Sequence, residues 1–110
     1  MKGISQSIKV LKEEVSSILT VSEWARYMEY DDTKKFTRHF RKYFQQNPKV
    51  VIITEHLNNL SELIEKYPED KFLAIAWRAG FRDDNALREF VRRHTGRSLT
   101  EFKRMVLNQH

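Results

Sequence analysis

The 110-residue chain contains no cysteine, which excludes disulfides and every zinc or redox site built on thiolates. Its two prolines and three glycines are too few for the many turns of an all-β fold. Long apolar runs are missing too. The longest are VVII at Val50–Ile53 and FLAIAW at Phe72–Trp77, far short of a membrane span of about 20 residues. The opening MKGISQSIKVL lacks the continuous apolar stretch of a secretory signal. These absences predict a soluble, cytoplasmic protein. No Gly-rich phosphate loop, nucleophile elbow or paired-carboxylate cleft is visible. His39, His56, His94 and His110 show no metal-ligand spacing and are expected in structural or surface roles. No enzyme activity, metal or cofactor is expected.

What is present suits a small folded domain. Apolar residues make up 40% and charged residues 32%, a globular rather than a disordered balance. Seven Phe, four Tyr and two Trp supply bulky side chains; Trp24 and Trp77 are expected in the core or at its edge. The net charge of +5 is spread unevenly. Residues 1–49 carry ten Lys/Arg against six Asp/Glu, residues 50–70 one against five, and residues 71–110 nine against four. Two basic blocks around an acidic connector suit a polyanionic partner.

Apolar periodicity predicts seven helices and no strand, an all-α fold. Ile4, Ile8, Leu11, Val15 and Ile18/Leu19 mark the first, and Val21 to Met28 a short second. Asp32 is placed to cap a third, Thr33 to about Phe44, with Phe36, Phe40, Tyr43 and Phe44 on one face. Asn47–Pro48 starts a longer helix, striped by Val50, Ile53, Leu57, Leu60 and Ile64 and followed by Pro68. FLAIAWRA is closed by Gly80, where a left-handed residue fits. Asn85 to His94 follows, with Leu87 and Val91 inward, and Ser98–Glu101 has capping-box spacing before a last helix through Leu107.

A shift of 51 residues brings a second copy into register. Ala25 meets Ala76, Tyr30 meets Phe81, Asp32 meets Asp83, Phe36 meets Leu87, Phe40 meets Val91 and Arg41 meets Arg92. Each copy is a short helix, a tight turn and a longer helix, with a small residue where the two helices approach. That is helix-turn-helix geometry. Opposite the apolar stripe, the third helix presents Lys34, Thr37, Arg38 and Arg41, and the sixth presents Asn85, Arg88, Glu89 and Arg92. A helix fits the major groove of DNA, where Arg pairs with guanine, Asn with adenine and Glu with cytosine. Lys42 and Arg93 lie further round their helices and suit phosphate.

IAWRAGFRDDNALREFVRRHTGRSLTEFKR, Ile75 to Arg104, resembles the second helix-turn-helix of the AraC/XylS transcription-regulator family in its Ile-Ala, Gly-Phe, three apolar anchors, Thr-Gly and closing aromatic-basic pair. SEWARYMEYDDTKKFTRHFRKYFQQNP, Ser22 to Pro48, is similar to the same pattern. The resemblance covers about residues 4–107 and implies two helix-turn-helix subdomains, 1–47 and 68–110, joined by a connector helix at 48–67. It places base reading on Thr33, Lys34, Thr37 and Arg38, and on Asp84, Asn85, Arg88 and Glu89. Arg41, Lys42, Arg92 and Arg93 are then expected at phosphates. It further implies duplex DNA as partner, RNA polymerase as a second one, binding as a monomer, and the short form of the family without a small-molecule sensor domain. Three departures stand out: Glu29 replaces the turn glycine, Gln45 replaces the loop glycine, and the connector is acidic. They keep open a rival reading, a protein-interaction module that no longer reads DNA; a nonspecific basic module for RNA or DNA is the other.

Overall fold

The computed structural model describes residues 3–109; Met1, Lys2 and His110 lie outside them. Among the described residues there are seven α-helices, one 3-10 turn at Ile4–Gln6, and no strand. The helices are α1 (Ser7–Glu13), α2 (Val21–Tyr27), α3 (Thr33–Phe44), α4 (Pro48–Lys66), α5 (Phe72–Ala79), α6 (Asp84–Thr95) and α7 (Leu99–Leu107). The chain divides into two compact units, Met1–Glu55 and His56–His110, each with a core of its own.

In the first unit the leader helix stops at Glu13 although the apolar period continues to Ile18. Two glutamates at the negative end of the helix dipole, followed by Ser16 and Ser17, disfavour another turn of helix. Ile18 is nevertheless fully buried, delivered by a turn in which its amide bonds the Glu14 carbonyl at 3.1 Å. Thr20 caps α2 by accepting from the Glu23 amide at 3.1 Å. Trp24 is the hub: its ring lies 5.2 Å from Phe36 and 5.0 Å from Phe40, and its Nε1 donates to the Ser7 carbonyl at 2.9 Å. Leu11, Ala25, Met28, Val51 and Ile52 complete this core. Each large apolar side chain so buried contributes about 1.5–3 kcal/mol, and a donor bonded inside leaves no unpaid polar atom at the centre.

In the second unit Leu60 and Ile64 of α4 pack with Ile75, Ala76, Ala79, Leu87, Val91, Leu99 and Val106. His56 is buried, its ring 6.0 Å from both Phe81 and Phe90. Ser98 opens α7 with a reciprocal capping box to Glu101.

Three side chains depart from the periodicity. Tyr43 is 57% exposed, because the stripe of α3 runs through Phe36 and Phe40 and Tyr43 falls a residue short of the next turn. Val50 is 60% exposed, since α4 buries Val51, Ile52, His56, Leu60 and Ile64 instead; a buried histidine in the stripe masked its true phase. Trp77 is 63% exposed, one position beyond the Ile75–Ala76–Ala79 stripe, with Nε1 donating to the Arg82 carbonyl at 3.2 Å. α6 also begins one residue before Asn85, at Asp84.

Candidate nucleic-acid interface

The two units build the same device from different residues. After α2 the chain turns at Glu29, φ 64°, and the Tyr30 amide bonds the Ala25 carbonyl at 2.9 Å. After α5 it turns at Gly80, φ 91°, and the Phe81 amide bonds the Ala76 carbonyl at 2.8 Å. Left-handed closure of a helix suits glycine; the first unit reaches it with a side chain in place. Asp32 then caps α3, accepting from the Lys34 amide at 2.9 Å, and Asp83 caps α6, accepting from the Ala86 amide at 2.8 Å. The longer helices end alike as well, at Gln45 with φ 57° and Gly96 with φ 74°. Matching caps and turns aim the outer faces of α3 and α6 the same way relative to their own cores.

A further equivalence ties each turn to its helix. In the first unit the Tyr30 hydroxyl meets His39 Nδ1 at 3.0 Å, with ring centroids 5.6 Å apart. At the same two places in the second unit, the Phe81 and Phe90 rings meet at 5.2 Å, tilted by 55°.

On α3, Lys34 and Arg38 are exposed, Thr33 and Thr37 half-buried, and these four line one shallow groove with Arg41. The Thr33 hydroxyl donates to Ser22 Oγ at 3.3 Å, which anchors the helix start to α2. Lys42 is exposed outside that groove. Among the described residues Lys34, Arg38, Arg41 and Lys42 form no ion pair within 4 Å. α3 carries five Lys/Arg and no acidic residue, whereas α6 sets three arginines against Asp84 and Glu89.

On α6, Asn85, Arg88 and Glu89 are exposed and Asp84 is half-buried. Arg88 Nε lies 3.7 Å from Asp84 Oδ2. Arg92 and Arg93 are exposed on the last turns. The Ser98 backbone N–H, then its side chain, and the charges of Arg97 and Arg92 hold the Glu101 carboxyl below its ordinary value. The Ala86 backbone N–H and the neighbouring Arg82 do the same for the Asp83 cap.

Two all-helical units that repeat one turn geometry, cap for cap, narrow the family to helix-turn-helix proteins, and residues 33–105 match the family described as a helix-turn-helix domain, of the AraC type. The chain belongs to this family. Helix-turn-helix proteins of the AraC type are DNA-binding transcription regulators, not an enzyme family. No curated protein and no solved structure matches the chain. Among the described residues no helix is long and apolar enough to cross a membrane, and no group of three or more His, Asp or Glu side chains could hold a metal ion.

The periodicity pointed to the outer faces of α3 and α6 but not to their surroundings. Phe72 at the start of α5 and Lys103 on α7 gather at Arg88: the guanidinium carbon is 5.0 Å from the Phe72 ring centroid and Lys103 Nζ is 5.6 Å from it. Lys71 and Asp70 line the same open groove. Only the Asp84/Arg88 spacing of four residues signalled any of this in the sequence.

Proposed function

We propose that the chain is a sequence-specific regulator that sets α3 and α6 into two neighbouring major-groove segments of duplex DNA. The observation that supports this most is the duplicated turn: Glu29 and Gln45 take the left-handed conformations of Gly80 and Gly96, so the first unit retains the local geometry of the second despite lacking its glycines. Thr33, Lys34, Thr37 and Arg38 face bases in one segment, and Asp84, Asn85, Arg88 and Glu89 in the other; Arg41, Lys42, Arg92 and Arg93 meet phosphates. Phosphate contacts set affinity and register, and base contacts set sequence. The eight base-facing residues differ pairwise between the units, so a monomer recognises two unlike half-sites without a palindrome. It acts in the cytoplasm, with RNA polymerase as a second partner.

Selection from a randomised duplex pool tests this. Two dissimilar conserved blocks, about one helical turn apart, are expected, and inserting about five base pairs between them should abolish most specific binding. One block only, indifferent to insertion, leaves a single reading unit; no enrichment at all defeats the proposal.

A further inference from the structure

Asp84 stands at a base-facing position, where a carboxylate either accepts from cytosine or repels the phosphates around it. Its contacts suit a third role. Oδ2 lies 3.7 Å from Arg88 Nε, one helical turn on, with the two side chains 40% and 47% exposed. The same guanidinium lies over the Phe72 ring at 5.0 Å, with Lys103 Nζ at 5.6 Å from that ring. Asp84 is therefore an ion-pair partner on the Nε side, and the guanidinium carbon lies over the ring. The Nη edge makes no hydrogen bond among the described residues, and that edge is the two-donor fork that fits guanine O6 and N7. An arginine held in one orientation loses less rotamer freedom on docking than one that must be ordered at the moment of contact. α3 has no counterpart, because Thr33 and Thr37 occupy the places of Asp84 and Arg88.

We propose that Asp84 and Phe72 are positioning residues that aim the Arg88 fork at a guanine, so that α6 discriminates sequence while Asp84 itself touches no base. The proposal rests on Asn85, Arg88 and Glu89 of α6 reading bases as put forward above, and it replaces a base contact by Asp84 with a role through Arg88. An i, i+4 ion pair and an exposed cation–π contact together support a preference of about three- to ten-fold.

The test measures affinity of the intact chain and of Arg88→Ala, Asp84→Asn, Asp84→Glu, Phe72→Leu and Asp84→Asn/Arg88→Ala for a selected duplex and all its single-base-pair variants, with circular dichroism to confirm retained helix. Asp84→Asn should lose about two-fold and Phe72→Leu about two- to five-fold on the preferred duplex, and each should flatten preference at the one base pair that Arg88→Ala also relaxes. The double variant should bind no worse than Arg88→Ala, and Asp84→Glu should recover part of the loss. Tighter binding of Asp84→Asn to every duplex alike makes Asp84 a phosphate repeller and overturns the proposal. So does relaxation at a base pair that Arg88→Ala leaves intact, which makes Asp84 a reader in its own right. If Arg88→Ala relaxes no position while the chain still selects a sequence, the base-reading assignment of α6 fails first, and that result is distinct from a failure of Asp84 alone.

Discussion

Glu29 holds, at φ 64°, the place in the first unit that Gly80 holds at φ 91° in the second. A side chain in this region costs on the order of 1 kcal/mol relative to glycine. Glu29→Gly should therefore stabilise the protein by up to about 1 kcal/mol, and Gly80→Ala should destabilise it by a similar amount. Urea unfolding of the two variants beside the parent checks both signs. A less stable Glu29→Gly would mean that the contacts of the Glu29 side chain outweigh the backbone strain.

The turns were legible because their chemistry is local. Asp32 and Ser98 sit before apolar periodic runs and cap the helices that the sequence predicts for them, and Asp83, which the repeat sets opposite Asp32, caps α6. The repeat was legible because Phe36/Leu87 and Phe40/Val91 preserve residue class, and all four are fully buried. Family and all-α class followed from the same residues. Three of the failures, Val50, Trp77 and Tyr43, have one cause, the phase of a stripe read from hydrophobicity alone. His56 is polar yet buried, so α4 read as though Val50 faced inward; Trp77 and Tyr43 are apolar yet exposed. Around Arg88, Phe72 and Lys103 come from other helices, and no local spacing foretells a tertiary meeting.

Affinity for duplex DNA should fall steeply with salt, because cations that neutralise phosphates release counterions. The uneven charge of the two helices sharpens the expectation. Lys42→Ala on all-basic α3 and Arg93→Ala on α6 should each lower the slope of log affinity against log salt by about 1. Titrations at four or five salt concentrations measure it; an unchanged slope removes that residue from the phosphate set.

Arg38→Ala separates base reading from phosphate binding in the first unit. A loss of about 1–3 kcal/mol confined to a preferred duplex, with relaxed choice at one or two base pairs, is expected. Lys42→Ala should weaken all duplexes alike. Equal losses for both, independent of sequence, would place Arg38 on the backbone and leave α3 without its principal reader.

Acid should weaken the second unit through its caps. The Asp83 carboxyl is held below its ordinary value first by the Ala86 backbone N–H and then by Arg82, and Glu101 by Ser98. A lowered folded value means that the unfolded chain binds the proton more readily. The resulting stability is complete above the ordinary carboxylate range, about pH 4, and is lost as pH falls from there through the lowered values. Asp83→Asn keeps an N-cap acceptor but cannot titrate. Its unfolding midpoint should depend less on pH below that range than the parent's, and an identical pH profile would show that the cap charge is immaterial.

Each unit carries one tryptophan, and the two live in opposite surroundings. Trp24 is fully buried with its indole N–H bonded to Ser7, whereas Trp77 is 63% exposed on α5. The protein is thus an optical instrument with two channels and no label. Emission from Trp24 belongs at the blue side and should resist iodide; emission from Trp77 belongs at the red side and should be quenched by it. Trp77→Phe leaves a signal that reports only on the first core, and Trp24, being the hub of that core, needs no replacement for the second channel to be read by difference. Light absorbed by two indoles can then tell which unit loosens first in urea, and which one changes when a duplex arrives.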